Sequence, residues 1–524
     1  MRPDCSLRWI AVLSGLLVIG AVARAEDTAG HFAISRYDVQ GNSLLPAAEL
    51  DATLAPYTGP SSDFETVQTA VEALEAVYRD HGYGLVRVVL PEQELDNGVV
   101  RLRVIERRIG TVKVEGNDHF SDENIRASVP ALLPGKIPDL GDVSAELKLA
   151  NESPAKQTTL QVQNASQEDQ VNAVLKVSDA APWTVGAGID NTGDNQTGRD
   201  RLTLHYQNAD IGGWDHVLSL QYTTSLNDPH AVGIYGLGYH IPIYDWGDSV
   251  DLYASYSDVN SGTVSTGLLD LAVSGKGAVG GARYNHVLPR LGDFESKLIL
   301  GVDYKAFETD IGYNGVPLGD NVTVHPISLT YALTWPVLDG AFNAYASGSR
   351  NIPGGDNGGS GAFETARAGA TADYTIFRYG AAFQRPLPGD MQLRLQLNGQ
   401  ETSDALIPGE QLGAGGATTV RGFDEREFAN DRGRIANAEL YSPDLCGTKD
   451  TQCRVLAFYD TAWLSRNDSL PGEESHEDIA SVGAGARITI EDCLARLDYG
   501  YVLQGLDSTR RGASRIHFSV QLNY

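Results

Sequence analysis

Arg515-Ile516-His517-Phe518-Ser519-Val520-Gln521-Leu522-Asn523-Tyr524 closes the chain, and every second residue of it is apolar. A period of two marks a strand with one apolar and one polar face. The run stops on an aromatic with no tail, and a strand end is where the aromatic girdle of a transmembrane barrel belongs. The same period is found upstream. Leu202, Leu204 and Tyr206 alternate with Thr203, His205 and Gln207, and Leu218, Leu220 and Tyr222 follow suit. Met391, Leu393, Leu395 and Leu397 alternate with Gln392, Arg394, Gln396 and Asn398. Alternation alone fits a soluble sandwich with its apolar face inward, or a membrane barrel whose polar face lines the lumen.

The connections favour the barrel. Short turns with proline recur at Pro242, Pro289, Pro336, Pro386 and Pro443, spaced by 47, 47, 50 and 57 residues. Long Gly/Asp/Asn-rich loops alternate with them, as at Gly312–Val322, Ile352–Gly361 and Leu406–Gly433. Short turns on one rim and long loops on the other form the outer-membrane pattern. The expected fold is an all-β transmembrane barrel of sixteen antiparallel strands over residues 182–524. Its last seven strands are expected near 376–387, 391–404, 433–443, 454–466, 480–490, 494–505 and 515–524.

The front of the chain reads differently. Arg2 and Arg8 flank an apolar run, Trp9–Val22, that leads to Ala23-Arg24-Ala25. This predicts a signal peptide over 1–25, cleaved after Ala25. Beyond it two similar segments occur. One runs from Phe32 to Gly41-Asn42 and the other from Ile109 to Gly116-Asn117, and the two Gly-Asn pairs lie 75 residues apart. Each precedes a polar turn and a helix-like stretch, so two α+β units are expected, over 31–107 and 108–179. In the first, Ser62 and Glu65 form a capping-box pattern. Val67, Ala70, Val71, Leu74, Val77 and Tyr78 recur at helical spacing, and Gly82 can end the helix. That stripe predicts core, against strands at Leu85–Leu90 and Val99–Glu106. A strand around Val171–Val177 is expected to end the second unit.

The formal charge is −28. Three Arg and one Asp in the first 25 residues contribute +2, so the remainder carries −30. A nucleic-acid partner is therefore not expected, since phosphate demands a basic surface. Three cysteines follow the signal. Cys446 and Cys453, seven apart in a polar turn, can close a small disulfide loop in an exported protein. No His or further Cys stands nearby at zinc-ligand spacing. Cys493 has no assigned state.

Catalytic patterns are missing. Gly358-Gly359-Ser360-Gly361-Ala362 departs from the Gly-x-Ser-x-Gly elbow and is read as loop with no following helix. Gly483-Ala484-Gly485 lies in a strand, with no helix to receive a phosphate. Eleven His include no His-Glu-x-x-His. No enzyme activity, cofactor or metal is expected.

One constellation carries chemistry. The loop before the twelfth expected strand contains Val420-Arg421-Gly422-Phe423, and the strand after that one contains Phe458-Tyr459-Asp460. Asp460 shares parity with Phe458 and Ala462, opposite to Val455, Ala457, Tyr459 and Trp463. The second set suits lipid, so Asp460 should face the lumen, where a charge needs a partner. Arg421 can supply a bidentate fork, and Gly422 a tight turn.

In these residues the chain resembles the two-partner secretion transporters, the haemolysin-activator (ShlB–FhaC) type of outer-membrane barrel. In that family a Val-Arg-Gly-Tyr/Phe motif at the tip of the sixth extracellular loop folds into the barrel. Its Arg pairs with the Asp of a Phe-x-Asp motif on the inner wall. The resemblance covers the whole mature chain and makes the two front units resemble POTRA domains, which receive unfolded substrate in the periplasm. It implies an outer-membrane translocator for a large unfolded exoprotein, surrounded by outer-membrane lipid and monomeric. Two roles are open for the Arg421–Asp460 pair: stiffening the barrel, or holding the loop in a transport-competent position until the pore opens. An unfolded chain is expected to dock by β-augmentation on a POTRA sheet edge, with the groove beside the helix of Val67, Val71, Leu74 and Tyr78 as the first place expected for it. Family members often carry an N-terminal helix that plugs the pore. Only Glu26–Gly30 separate the cleavage site from the first strand, so no such helix is expected. The rivals are an insertase that folds other barrels, a passive porin or uptake channel, and a surface hydrolase.

Overall fold

The computed structural model describes residues 31–194, 197–258, 262–265, 270–273, 276–308, 312–313, 316–317, 321–448 and 450–524. The signal segment 1–25, Glu26–Gly30 and part of the Gly312–Val322 loop lie outside the described residues.

The first α+β unit has a three-stranded sheet, Arg36–Gln40, Val99–Ile105 and Arg87–Val89, with the longest strand central. Helices Ala47–Leu54 and Phe64–Asp80 pack with it around Leu74, Tyr78 and Leu102, all fully buried. The helical stripe is core, as its spacing predicts. The cap is displaced from its expected place. Asp63, not Ser62, precedes the helix, and its carboxylate accepts from the Thr66 amide at 2.8 Å. Ser62 is drawn into a short strand, Gly59–Ser62, paired with Phe32–Ile34. Gly82 (φ +87°) ends the helix, with the Tyr83 amide bonded back to the Tyr78 carbonyl.

The second unit repeats the order: Arg108–Glu115, Gln170–Asp179 and Lys156–Asn164, with helices Asp122–Ala127 and Leu140–Ala150. Lys156–Asn164 was not expected, because Gln, Thr and Asn dominate this edge strand. The Gly-Asn echo is one turn built twice. Neither Gly41 (φ +83°) nor Gly116 (φ +88°) has room for a Cβ, which would lie 2.5 Å from a carbonyl oxygen, that of Val104 and of Val177. An acid from the end of the central sheet region then caps each turn. Glu106 accepts from the Leu44 amide at 3.1 Å, and Asp179 from the Asp118, His119 and Phe120 amides at 2.9–3.0 Å.

From Trp183 on, sixteen antiparallel strand positions close a barrel, with Ser514–Asn523 pairing back onto Trp183–Asp190. The last seven are Thr375–Leu387, Met391–Glu401, Arg432–Tyr441, Thr451–Ser465, His476–Ile490, Cys493–Gln504 and Ser514–Asn523, hereafter strands 10 to 16. Strand 11 stops short of its expected end because Thr402 and Asp404 turn back onto the Thr375 backbone. Pro242, Pro336 and Pro386 lie in strand ends beside turns rather than in the turns, where a missing N–H is tolerated. Along strand 13, Val455, Tyr459 and Trp463 are 42–48 % exposed while Phe458, Asp460 and Ala462 are buried. In a bilayer the first set meets lipid, and the second faces inward. Cys446 and Cys453 form a disulfide in the turn between strands 12 and 13, and Cys493 is free.

Candidate functional site

Loop 6, residues 402–431, carries the Val-Arg-Gly-Phe motif onto the inner wall formed by strands 12 to 16. Val420 and Phe423 are fully buried among Ile435, Ala462, Leu464, Ile479 and Val502. That apolar seat fixes the tip of the loop, so Arg421 has a defined position from which to reach strand 13.

The guanidinium grips Asp460 with two prongs, Nε to Oδ2 at 2.7 Å and Nη2 to Oδ1 at 2.8 Å. The Arg421 backbone amide adds a third bond to Oδ2 at 3.1 Å. Nη1 turns to Glu439 at 2.7 Å and stands 3.5 Å from Asp498. The flat face of the guanidinium lies over the Phe458 ring, 3.4 Å from its centroid. Asp460 is completely buried, and Asn437, directly across the strand pair, donates to it at 2.9 Å. Arg487 shares Asp498, both nitrogens at 2.9 Å. Charge-assisted, bidentate bonds in a site shielded from water are the strong class of hydrogen bond.

Small residues make the close approach possible. Gly422 takes φ +100°, and its amide donates to His517 Nε2 at 3.0 Å. A Cβ at Gly500 would lie 2.6 Å from the Gly422 nitrogen. A Cβ at Gly483 would lie 2.3 Å from the Phe458 ring. These two glycines face each other across strands 14 and 15. Together they form a depression that admits the tip and the ring beneath it.

All six residues expected at this site are therefore brought together. Sequence reasoning missed Glu439, Asn437, Asp498 and His517. Strand parity places each on the lumen face, but only register and the seat of the loop gather them around Arg421, Gly422 and Asp460. The expected docking residues are placed differently. Val67, Leu74 and Tyr78 are buried, and Val71 is only partly exposed, because their stripe packs into the core of its own unit. Ser360 is also corrected: it begins a short helix, Ser360–Ala366, held by the buried Phe363. Among the described residues no cluster of three or more His, Cys, Asp or Glu could hold a metal ion.

Residues 170–488 match the family model of the haemolysin secretion/activation protein ShlB/FhaC/HecB. The chain belongs to this family. Residues 32–106 separately match the ShlB-type POTRA domain. The outer membrane transporter CdiB of Escherichia coli is 24 % identical over 459 residues, covering 84 % of this chain and 74 % of CdiB. The heme/hemopexin transporter protein HuxB of Haemophilus influenzae is 21 % identical over 413 residues, covering 76 % and 70 %. The solved structure of CdiB from Escherichia coli superposes with a TM-score of 0.79 at 22 % identity, over 98 % of this chain and 94 % of that one. This member of the ShlB/FhaC/HecB family is an outer-membrane transporter of the two-partner secretion type that acts with a secreted partner protein, and its POTRA region lies in the periplasm.

Proposed function

We propose that this transporter takes an unfolded exoprotein from the periplasm, passes it through the barrel as a monomer without catalysis, and uses the Arg421–Asp460 pair to hold loop 6 in its working position. The observation that carries the reading is the number of independent contacts converging on one loop-tip arginine. It meets acids from strands 12, 13 and 15 and a ring from strand 13. A pair that only stiffened the wall would need two adjacent strands, whereas this one fastens a loop to the wall.

We read the unit at 108–179 as a second POTRA domain. Its edge strand Lys156–Asn164 suits β-augmentation better than the helix stripe of the first unit. Thr158 is covered by the Asn151 side chain, whereas Val162, farther along the edge, is 43 % exposed. An extended substrate adds there as a further strand. No nucleotide is required, since folding at the cell surface makes passage directional.

The test is deletion of the gene followed by restoration with wild type or Arg421→Ala, reading the culture supernatant and the outer-membrane protein profile. Loss of one large secreted protein, restored by wild type alone, is expected. A collective fall of outer-membrane barrels would replace this reading with an insertase. No change in either profile would leave solute conductance as the activity to measure.

A further inference from the structure

Loop 6 is fastened a second time, at its stem and against the other half of the wall. Glu410, 2 % exposed, accepts from Lys305 at 2.7 Å and from Arg378 of strand 10 at 3.2 Å. Gln400 of strand 11 donates to the Glu410 carbonyl at 3.0 Å. Beside this lies an apolar cluster. Leu406 and Ile407 of the stem pack with Phe363 of the Ser360–Ala366 helix, with Tyr374 and Ile376, and with Val324. Ile376 is fully buried while its neighbour Phe377 is 47 % exposed, so the cluster lies on the lumen face. Elsewhere that face carries Thr203, His205, Gln207, Gln396 and Asn398. A packed apolar cluster within a polar lumen excludes water, and an extended chain cannot pass through it.

One buried ion pair joins the parts. Asp431, at the end of loop 6, is completely buried. Arg367, just after the Ser360–Ala366 helix of loop 5 (residues 352–374, before strand 10), binds it with both terminal nitrogens, Nη2 at 2.9 Å. Arg367 also donates to the carbonyls of Leu406 at 2.7 Å and Asn467 at 2.8 Å. Asp431 in turn accepts from the amides of Leu406 at 2.9 Å and Asn467 at 2.7 Å. Loops 5 and 6 thus meet at a single carboxylate with loop 7, residues 466–475 between strands 13 and 14, which carries Asn467. Ala370 and Ala405 form a backbone bridge between loops 5 and 6 alongside it.

We propose that Arg367 and Asp431 are the positioning pair of an outer gate, distinct from the Arg421 lock. While they are joined, the loop 5 helix and the loop 6 stem fill the outer lumen. When they part, the stem and helix leave and the mouth opens, with the loop tip still held at Asp460. The inference rests on the transport reading but concerns closure alone. Its test uses potassium chloride as the only permeant, so its failure leaves the export test untouched.

The full chain would be purified, checked for folding by its heat-modifiable mobility, and measured in planar bilayers. Arg367→Glu is expected to raise mean conductance at least several-fold over wild type. The exchange Arg367→Glu/Asp431→Arg is expected to return it to the wild-type level, which loss of structure alone would not do. If charge reversal does not fold, Arg367→Gln carries the same comparison. Bridged strands stand about 5 Å apart, within disulfide reach. Ala370→Cys/Ala405→Cys added to the open variant should therefore close it when oxidised and reopen it with reductant, the variant without the pair serving as control for Cys446–Cys453. A folded Arg367 variant no more conductive than wild type, or a conductance indifferent to the new disulfide, would overturn the gate.

Discussion

Arg421 is surrounded by more acid than it can neutralise. Three carboxylates, Asp460, Glu439 and Asp498, share two guanidinium groups, its own and that of Arg487. Removing it leaves buried carboxylates facing one another. Breaking such a pair by deleting one partner costs about 3–5 kcal/mol. Arg421→Ala should therefore release the loop tip rather than unfold the barrel, read as new protease cleavage between residues 413 and 430. Arg421→Lys should not rescue export, because a point charge cannot serve Asp460 at two oxygens, Glu439, and the Phe458 face at once. Gly500→Ala tests the seat without touching a charge. Its methyl would meet the Gly422 nitrogen at 2.6 Å, so the tip must lift, and the same cleavage should appear with every ion-pair partner intact. At this scale Asp460 was legible from strand parity, and Val420–Phe423 from the family resemblance they carry. Their other partners were not, because Asn437 meets Asp460 only through the pairing of strands 12 and 13.

Among the elements, the helix Leu140–Ala150 carries its own pH dependence. Glu146 faces inward and is 6 % exposed, with both carboxylate oxygens near the Ala131 amide at 3.0–3.1 Å. Burial pushes its carboxyl from the usual 4.5 up to about 7, and Asp142 and Asp245 push the same way. An acid with a raised folded value stabilises the fold below about 4.5 and loses that contribution as pH rises through about 7. The protection factors of this helix, which are the intrinsic base-catalysed rates divided by its exchange rates at each pH, should therefore fall as pH rises from about 4.5 to about 7. Glu146→Gln should remove that pH dependence, and an unchanged slope would assign it elsewhere. The helix of the first unit was readable from its 3.6-residue stripe, and the barrel strands from their period of two. Ser62 and Ser360 were misread for a related reason. Ser-Ser-Asp and Gly-Gly-Ser-Gly each offer several local solutions, and tertiary contacts choose among them, through Gly59–Ser62 pairing with Phe32–Ile34 and through burial of Phe363.

On the scale of the molecule, the second α+β unit and the barrel share a buried polar contact that no motif announced. Lys156 has no exposed side-chain surface and donates to Asp215 at 2.5 Å and to Asn124 at 2.8 Å. Tyr244 donates to the same Asp215 carboxylate, and Asn124 reaches the Gly213 carbonyl at 3.0 Å. Asp215 and Gly213 lie in a turn of the barrel on the side of the second unit. Lys156→Met should free the unit from this rim at a cost of about 3–5 kcal/mol. The measurement is cleavage in the Ala180–Pro182 connection of otherwise folded protein, and resistance equal to wild type would deny the contact a docking role. Fold class, strand count and the side of the wall on which Asp460 lies followed from the sequence alone. They rest on periodicity and parity, which are properties of a strand whatever it pairs with. Which residues surround Arg421, what fills the outer lumen at Asp431, and how Lys156 is held were decided only by tertiary structure. Each depends on register or on loop packing, and those bring together side chains that the chain itself separates by tens of residues.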